Sequence, residues 1–138
     1  MTARRSPADA LCAGLVASVV SGAPSTAWSL VAGDDVLDGA RAAGALLLPS
    51  ARRTEVLLAA AVPVHLGLSL GWAGVLAALI PRRAEPAWGA VGGLAIAALD
   101  LAVIGRRIPA VRALPQGRQW ADHVAYGLAV GAVLRARR

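Results

Sequence analysis

Residues 10–32 contain no charged side chain, and three further apolar runs follow, at 56–80, 86–104 and 119–134. A helix of 23 residues rises about 34 Å, enough to cross a hydrocarbon core of about 30 Å. A soluble helix carries charge along its outer face. Here the charges collect at the ends of the runs instead. Asp9 and Asp34-Asp35 bracket the first, and Glu55 and Pro81-Arg82-Arg83 bracket the second. Pro86 opens the third, where its missing N–H has no helical partner anyway, and Gly105-Arg106-Arg107 ends it. Arg135, Arg137 and Arg138 follow the fourth. The pattern predicts an all-α, polytopic transmembrane bundle of about four helices, forming one domain over residues 1–138. Pro24 and Pro63 lie inside runs and predict bends.

Composition supports this reading. Hydrophobic residues make up 57% of the chain and charged residues only 16%, against about 25% charged in soluble domains. The formal charge of +6 is carried by arginine alone, with no lysine. Such a charge can signal nucleic acid. The pairs Arg4-Arg5, Arg52-Arg53, Arg82-Arg83 and Arg106-Arg107 flank apolar runs, however, and so read as headgroup anchors. Nucleic acid is excluded as a partner, and the lipid bilayer takes its place.

A rival reading takes Arg4-Arg5 and Ser21-Gly22-Ala23 as parts of a cleavable signal peptide. Pro24 and the apolar continuation through Trp28, Leu30 and Val31 argue against it. Cys12 is the single cysteine, which rules out an intrachain disulfide. Residues 34–48 are too short and too charged to span. They predict a short extra helix in the first loop, capped by Asp34 or Asp35 and stopped by Pro49.

Alternating connections leave orientation undecided. Arg4, Arg5, Arg82, Arg83, Arg135, Arg137 and Arg138 fall on one side. Arg41, Arg52, Arg53, Arg106, Arg107, Arg112 and Arg118 fall on the other. The positive-inside rule therefore casts no vote. An even number of spans favours both termini inside a bacterial plasma membrane.

Small residues recur four apart, at Gly14, Ser18 and Gly22, at Gly67 and Gly71, at Gly89 and Gly93, and at Gly127 and Gly131. Such pairs let helix axes approach closely in lipid. They predict a compact bundle, and the same faces can serve a homo-oligomer or a membrane-protein partner. Trp28 and Trp120 are expected at one interface and Trp88 at the other, with Trp72 filling a gap between helices.

Polar residues within the runs are the candidate site. Ser25, Thr26, His65, Asp100, Asp122 and His123 fall in one half of the membrane, with Tyr126 one turn beyond Asp122 and His123. Asp100 is the costliest, and a carboxylate there faces the bundle, faces water or takes a proton. Hydrogen bonds are expected from His123 or His65 to Asp100, and from His65 to Ser25, Thr26 or Ser69. The favoured role is polar adhesion between helices. The alternative is a proton-responsive or ligand-coordinating cluster. Two histidines without HExxH or CxxC support neither zinc nor haem, so no metal and no cofactor is expected. No GxxxxGK[ST], GxGxxG or GxSxG occurs, and no catalytic residue is assigned.

The runs SGAPSTAW at 21–28, PVHLGLSLGW at 63–72 and GRRIPAVRALPQGRQWADHVAYG at 105–127 resemble small four-helix membrane proteins of actinobacteria. The chain is also loosely similar to YagU-like inner-membrane proteins, whose general association is with acid resistance. The resemblance implies membrane location and no particular reaction. The function expected is structural or accessory, with a small oligomeric transporter, channel or proton-responsive module as the alternative.

Overall fold

The computed structural model describes residues 5–138, and every regular element among them is helical; Arg4 lies outside the described residues. Helix α1 spans Pro7–Val20 and starts with a reciprocal cap. The Ser6 hydroxyl accepts from the Asp9 amide, and the Asp9 carboxylate accepts from the Ser6 amide, so two amides that a helix leaves unpaired are satisfied. The chain breaks at Ser21-Gly22, and α2 continues over Ala23–Ala32. The break precedes Pro24 because a proline ring collides with the carbonyl four residues back. Gly33, at φ 74°, closes α2 in the left-handed region.

Helix α3, Asp38–Leu47, occupies the first loop and packs on the start of α4. Neither Asp34 nor Asp35 caps it. Leu37 is the cap residue, and Asp35 binds the Leu37 amide instead. Helix α4 spans Thr54–Leu79 and is continuous through Pro63. A proline removes one backbone bond, and the remaining bonds of a 26-residue helix hold across it. Helix α5, Glu85–Ala97, passes into a π-helical segment at Ala98–Ile104 and a 3-10 turn at Gly105–Arg107. The short α6 is Pro109–Arg112, and α7 is Gln116–Ala136.

Three helical segments are long and apolar enough to cross a membrane: Pro7–Ala32, Thr54–Leu79 and Glu85–Arg107. Their outward faces are apolar, as Val31 at 92%, Val19 at 82% and Leu79 at 74% exposure illustrate. Apolar faces of this kind are compatible with a lipid surrounding. Helix α7 has 21 residues and covers about 31 Å, longer than the 119–134 run suggests. Arg118, Gln119, Asp122 and His123 make its first two turns polar, which keeps it out of that group of three.

The bundle is tightest where α5 crosses α7. A Cβ on Gly127 would overlap the Gly89 carbonyl oxygen, and one on Gly89 would overlap that of Gly127. Gly93 lies against the His123 backbone and Gly131 against Glu85. These backbones touch because no side chain separates them. A Cβ on Gly14 would stand 3.0 Å from the Ala73 and Leu70 side chains. Gly22, Gly67 and Gly71 differ from the expectation of packing positions, with nothing within 4 Å of a Cβ at any of them. They line no helix crossing in the single chain. The Ser18 hydroxyl donates within its own helix, to the Leu15 carbonyl at 2.7 Å. The core around these crossings includes Ala13, Ala17, Leu76, Ile96, Val130 and Leu134.

Candidate functional site

The π segment sets the position of Asp100. The Gly105 amide donates to the Asp100 carbonyl, five residues back. The extra residue of such a turn rotates the succeeding residues by about 100° round the axis. Asp100 faces α4 and α7, where the Trp72 indole N–H donates to its Oδ2 at 3.2 Å. His123 Nε2 stands 3.6 Å from the same oxygen, just beyond hydrogen-bond reach. The other ring nitrogen, Nδ1, lies 2.7 Å from the Gln119 carbonyl. A carbonyl only accepts, so Nδ1 carries a hydrogen. A neutral ring then turns the Nε2 lone pair towards the carboxylate. Both side chains are about one-fifth exposed, at 21% for Asp100 and 22% for His123.

The remaining candidates end on backbone atoms of other helices. Asp122 Oδ1 accepts from the Ser25 amide at 2.8 Å. Ser25 is in the first turn of α2, so α7 supplies the cap that Gly22 cannot. His65 does not reach Asp100, Ser25, Thr26 or Ser69 as expected. Its Nε2 donates to the Ser18 carbonyl at 2.8 Å, because this part of α4 lies beside the end of α1, while Trp72, two turns on, is the α4 residue that reaches the π segment. The Tyr126 hydroxyl donates to the Ser69 carbonyl. Thr26 is exposed and outside these contacts. The expected single cluster is thus an Asp100–His123–Trp72 group and three separate helix-to-helix contacts. Trp72, expected only to fill a gap between helices, also holds Asp100 through its indole N–H. Trp28 and Trp88 are exposed, and the Arg118 guanidinium stands 5.7 Å from the Trp28 ring centre, a cation–π distance.

A second polar centre, which sequence reasoning missed, closes the opposite end. Glu85 is fully buried. Its Oε1 accepts from Arg138 Nε at 2.8 Å and faces Arg5 Nη2 at 3.4 Å. Arg5 also donates to the Ala77 and Ile80 carbonyls at 2.9 and 2.8 Å, the unpaired carbonyls at the end of α4. Arg138 reaches the Arg82 carbonyl, and Arg137 pairs with Asp9 at 2.9 Å. The N-terminal segment, the loop after α4 and the C-terminus therefore meet at one end. The signal available was Glu85 itself, one acid in a region of the chain crowded with arginine.

At the other end Arg118 pairs with Asp34, and Arg41 with Asp35 and Asp38 at 2.6 Å each. The Arg41 guanidinium beside Asp35 holds that carboxyl below its ordinary range. A cavity of about 260 Å³, lined by Ser25, Asp34, Arg118 and Gln119 among others, opens here. It reaches Gln119, whose carbonyl binds His123. Among the described residues no three His, Cys, Asp or Glu side chains are grouped to hold a metal ion.

No protein-family model, curated protein sequence or solved structure matches the chain.

Proposed function

We propose that the protein is a structural or accessory multi-pass protein of the bacterial plasma membrane, with α7 as a fourth span. The observation that carries the reading is how the polar side chains are used. Asp122, His65 and Tyr126 each bind a backbone group of a different helix, which is adhesion rather than a lined path. In lipid, where helices gain nothing from burying apolar surface against each other, such bonds and close backbone contacts hold a bundle together. Arg5, Arg138 and the loop after α4 meet at one end of the bundle, which supports an even number of spans, and on this reading that end faces the cytoplasm. The outward apolar faces leave room for a second copy or another membrane protein.

The test is direct. After carbonate extraction the full-length protein stays in the membrane pellet and needs detergent for release; recovery of folded monomer in the aqueous fraction overturns the reading. In a Cys12→Ser background, single cysteines at Ser6, Ser50, Ala84 and the C-terminus are labelled from either side of the membrane. Ser6, Ala84 and the C-terminus should label together and Ser50 oppositely.

A second reading, a proton-responsive module, is favoured by the Asp100–His123 pair on its π segment. Asp100→Asn keeps the side-chain volume and, with its amide oxygen towards Trp72, still accepts from the indole N–H, so it keeps the fold, whereas Asp100→Ala loses about 0.5–2 kcal/mol. Proteoliposome proton flux between pH 5 and 8 separates the readings. Equal flux in wild type and both variants supports adhesion. Flux lost in Asp100→Asn at wild-type stability establishes the proton role, because an amide does not titrate.

A further inference from the structure

The end that carries α3 and α6 holds a groove of about 680 Å³, within the about 300–1,000 Å³ of small-molecule sites. Leu57, Ile108, Leu114 and Ala45 form its apolar wall, and Arg41, Asp38 and Arg52 its polar rim. Leu57 lies in the first turns of a membrane-spanning helix. On the membrane reading, to which this inference is tied, the groove sits where hydrocarbon meets headgroups.

Its charges are unevenly engaged. Arg41 and Asp38 pair with one another. Arg52 makes no hydrogen bond or ion pair among the described residues. The guanidinium groups of Arg107 and Arg112, which neighbour the lining residues Ile108 and Ala113 in the chain, are likewise without a hydrogen bond or ion pair among the described residues. An apolar trough with an uncompensated guanidinium group, that of Arg52, at its rim is complementary to an acyl chain that ends in a phosphate. We propose that this groove binds one anionic phospholipid, with Arg52 at its phosphate and a tail along Leu57, Ile108 and Leu114.

The experiment uses the full-length protein in a non-ionic detergent, with bound lipid counted by native mass spectrometry. Dioleoyl phosphatidylglycerol and dioleoyl phosphatidylcholine are the probes. Phosphatidylglycerol should bind in preference, and Arg52→Gln should cut that preference about fivefold, the effect of one arginine beside an anionic surface. Ala45→Trp, which fills the trough, should abolish it, while Arg83→Gln at the opposite end should leave it unchanged. Equal binding of the two lipids overturns the proposal, as does a preference that survives Arg52→Gln. Competition by soluble glycerol phosphate at the same concentration also overturns it, in favour of a free-anion site. A dimer dissociated by Ala45→Trp without lipid selectivity assigns the groove to a second copy instead. Any of these results obtained with protein still retained in the carbonate pellet rejects the lipid site alone; release by carbonate rejects the membrane reading itself.

Discussion

Glu85→Ala should destabilise the bundle by about 3 kcal/mol, because removing one member of a buried ion pair leaves its partners' charge uncompensated. Glu85 is wholly shielded and Arg5 nearly so, at 9% side-chain exposure, whereas Arg138 remains 44% exposed. Arg138→Gln should therefore cost clearly less. Glu85→Gln keeps the volume and one acceptor oxygen, and should fall between the two. The buried Oε2 has no hydrogen-bond partner among the described residues, so replacing that oxygen with an amide nitrogen breaks no existing bond. Unfolding in detergent provides the measurement, together with proteolysis of the C-terminal tail, which Glu85 holds through Arg138. A Glu85→Ala protein within about 0.5 kcal/mol of wild type, the ordinary range of surface substitutions, would show that the ionic end contributes nothing to stability.

Gly127→Leu should be the most disruptive change in the apolar interior. Even a Cβ at this position overlaps the Gly89 carbonyl oxygen and approaches the Gly93 amide nitrogen at 2.8 Å. Backbone cannot yield as a side-chain tip does, so α5 and α7 must separate. The expected loss is about 3 kcal/mol or more, at or above the upper end for overpacking. Separation also pulls His123 from Asp100, since Gly93 packs on the His123 carbonyl. Gly71→Leu provides the contrast. It has the same spacing signature but nothing within 4 Å, and it should change stability by no more than about 0.5 kcal/mol. Detergent unfolding of the two variants side by side is decisive. Equal losses would mean that the crossing seen between α5 and α7 is not what holds the helices together.

Those two glycines show where sequence reasoning reaches its limit. The GxxxG spacing places Gly67 and Gly71 on one face as surely as Gly89 and Gly93. Spacing states which residues share a face of a helix; it does not state which faces meet another helix. The same limit applies to the polar residues. Their depth in the apolar runs was legible because rise per residue is constant. Their partners were not, because rotation about each helix axis is set by packing. The π segment adds a rotation of its own at Asp100, and no residue pattern at 98–104 announces it. His65 consequently went to Ser18, and Trp72 took the bond at Asp100.

By itself the sequence determined the helical class and the three long apolar segments, since runs of such length with almost no charge have few other stable environments. It also determined the chain break near Pro24, although not its residue. Tertiary structure alone decided that Glu85 is a buried ionic centre joining both ends of the chain. Arg5, Glu85 and Arg138 are too far apart in sequence for any local pattern to relate them. Only the antiparallel return of α7 along α5, with glycine on both sides of the crossing, brings the C-terminus back to Glu85 and His123 against Asp100.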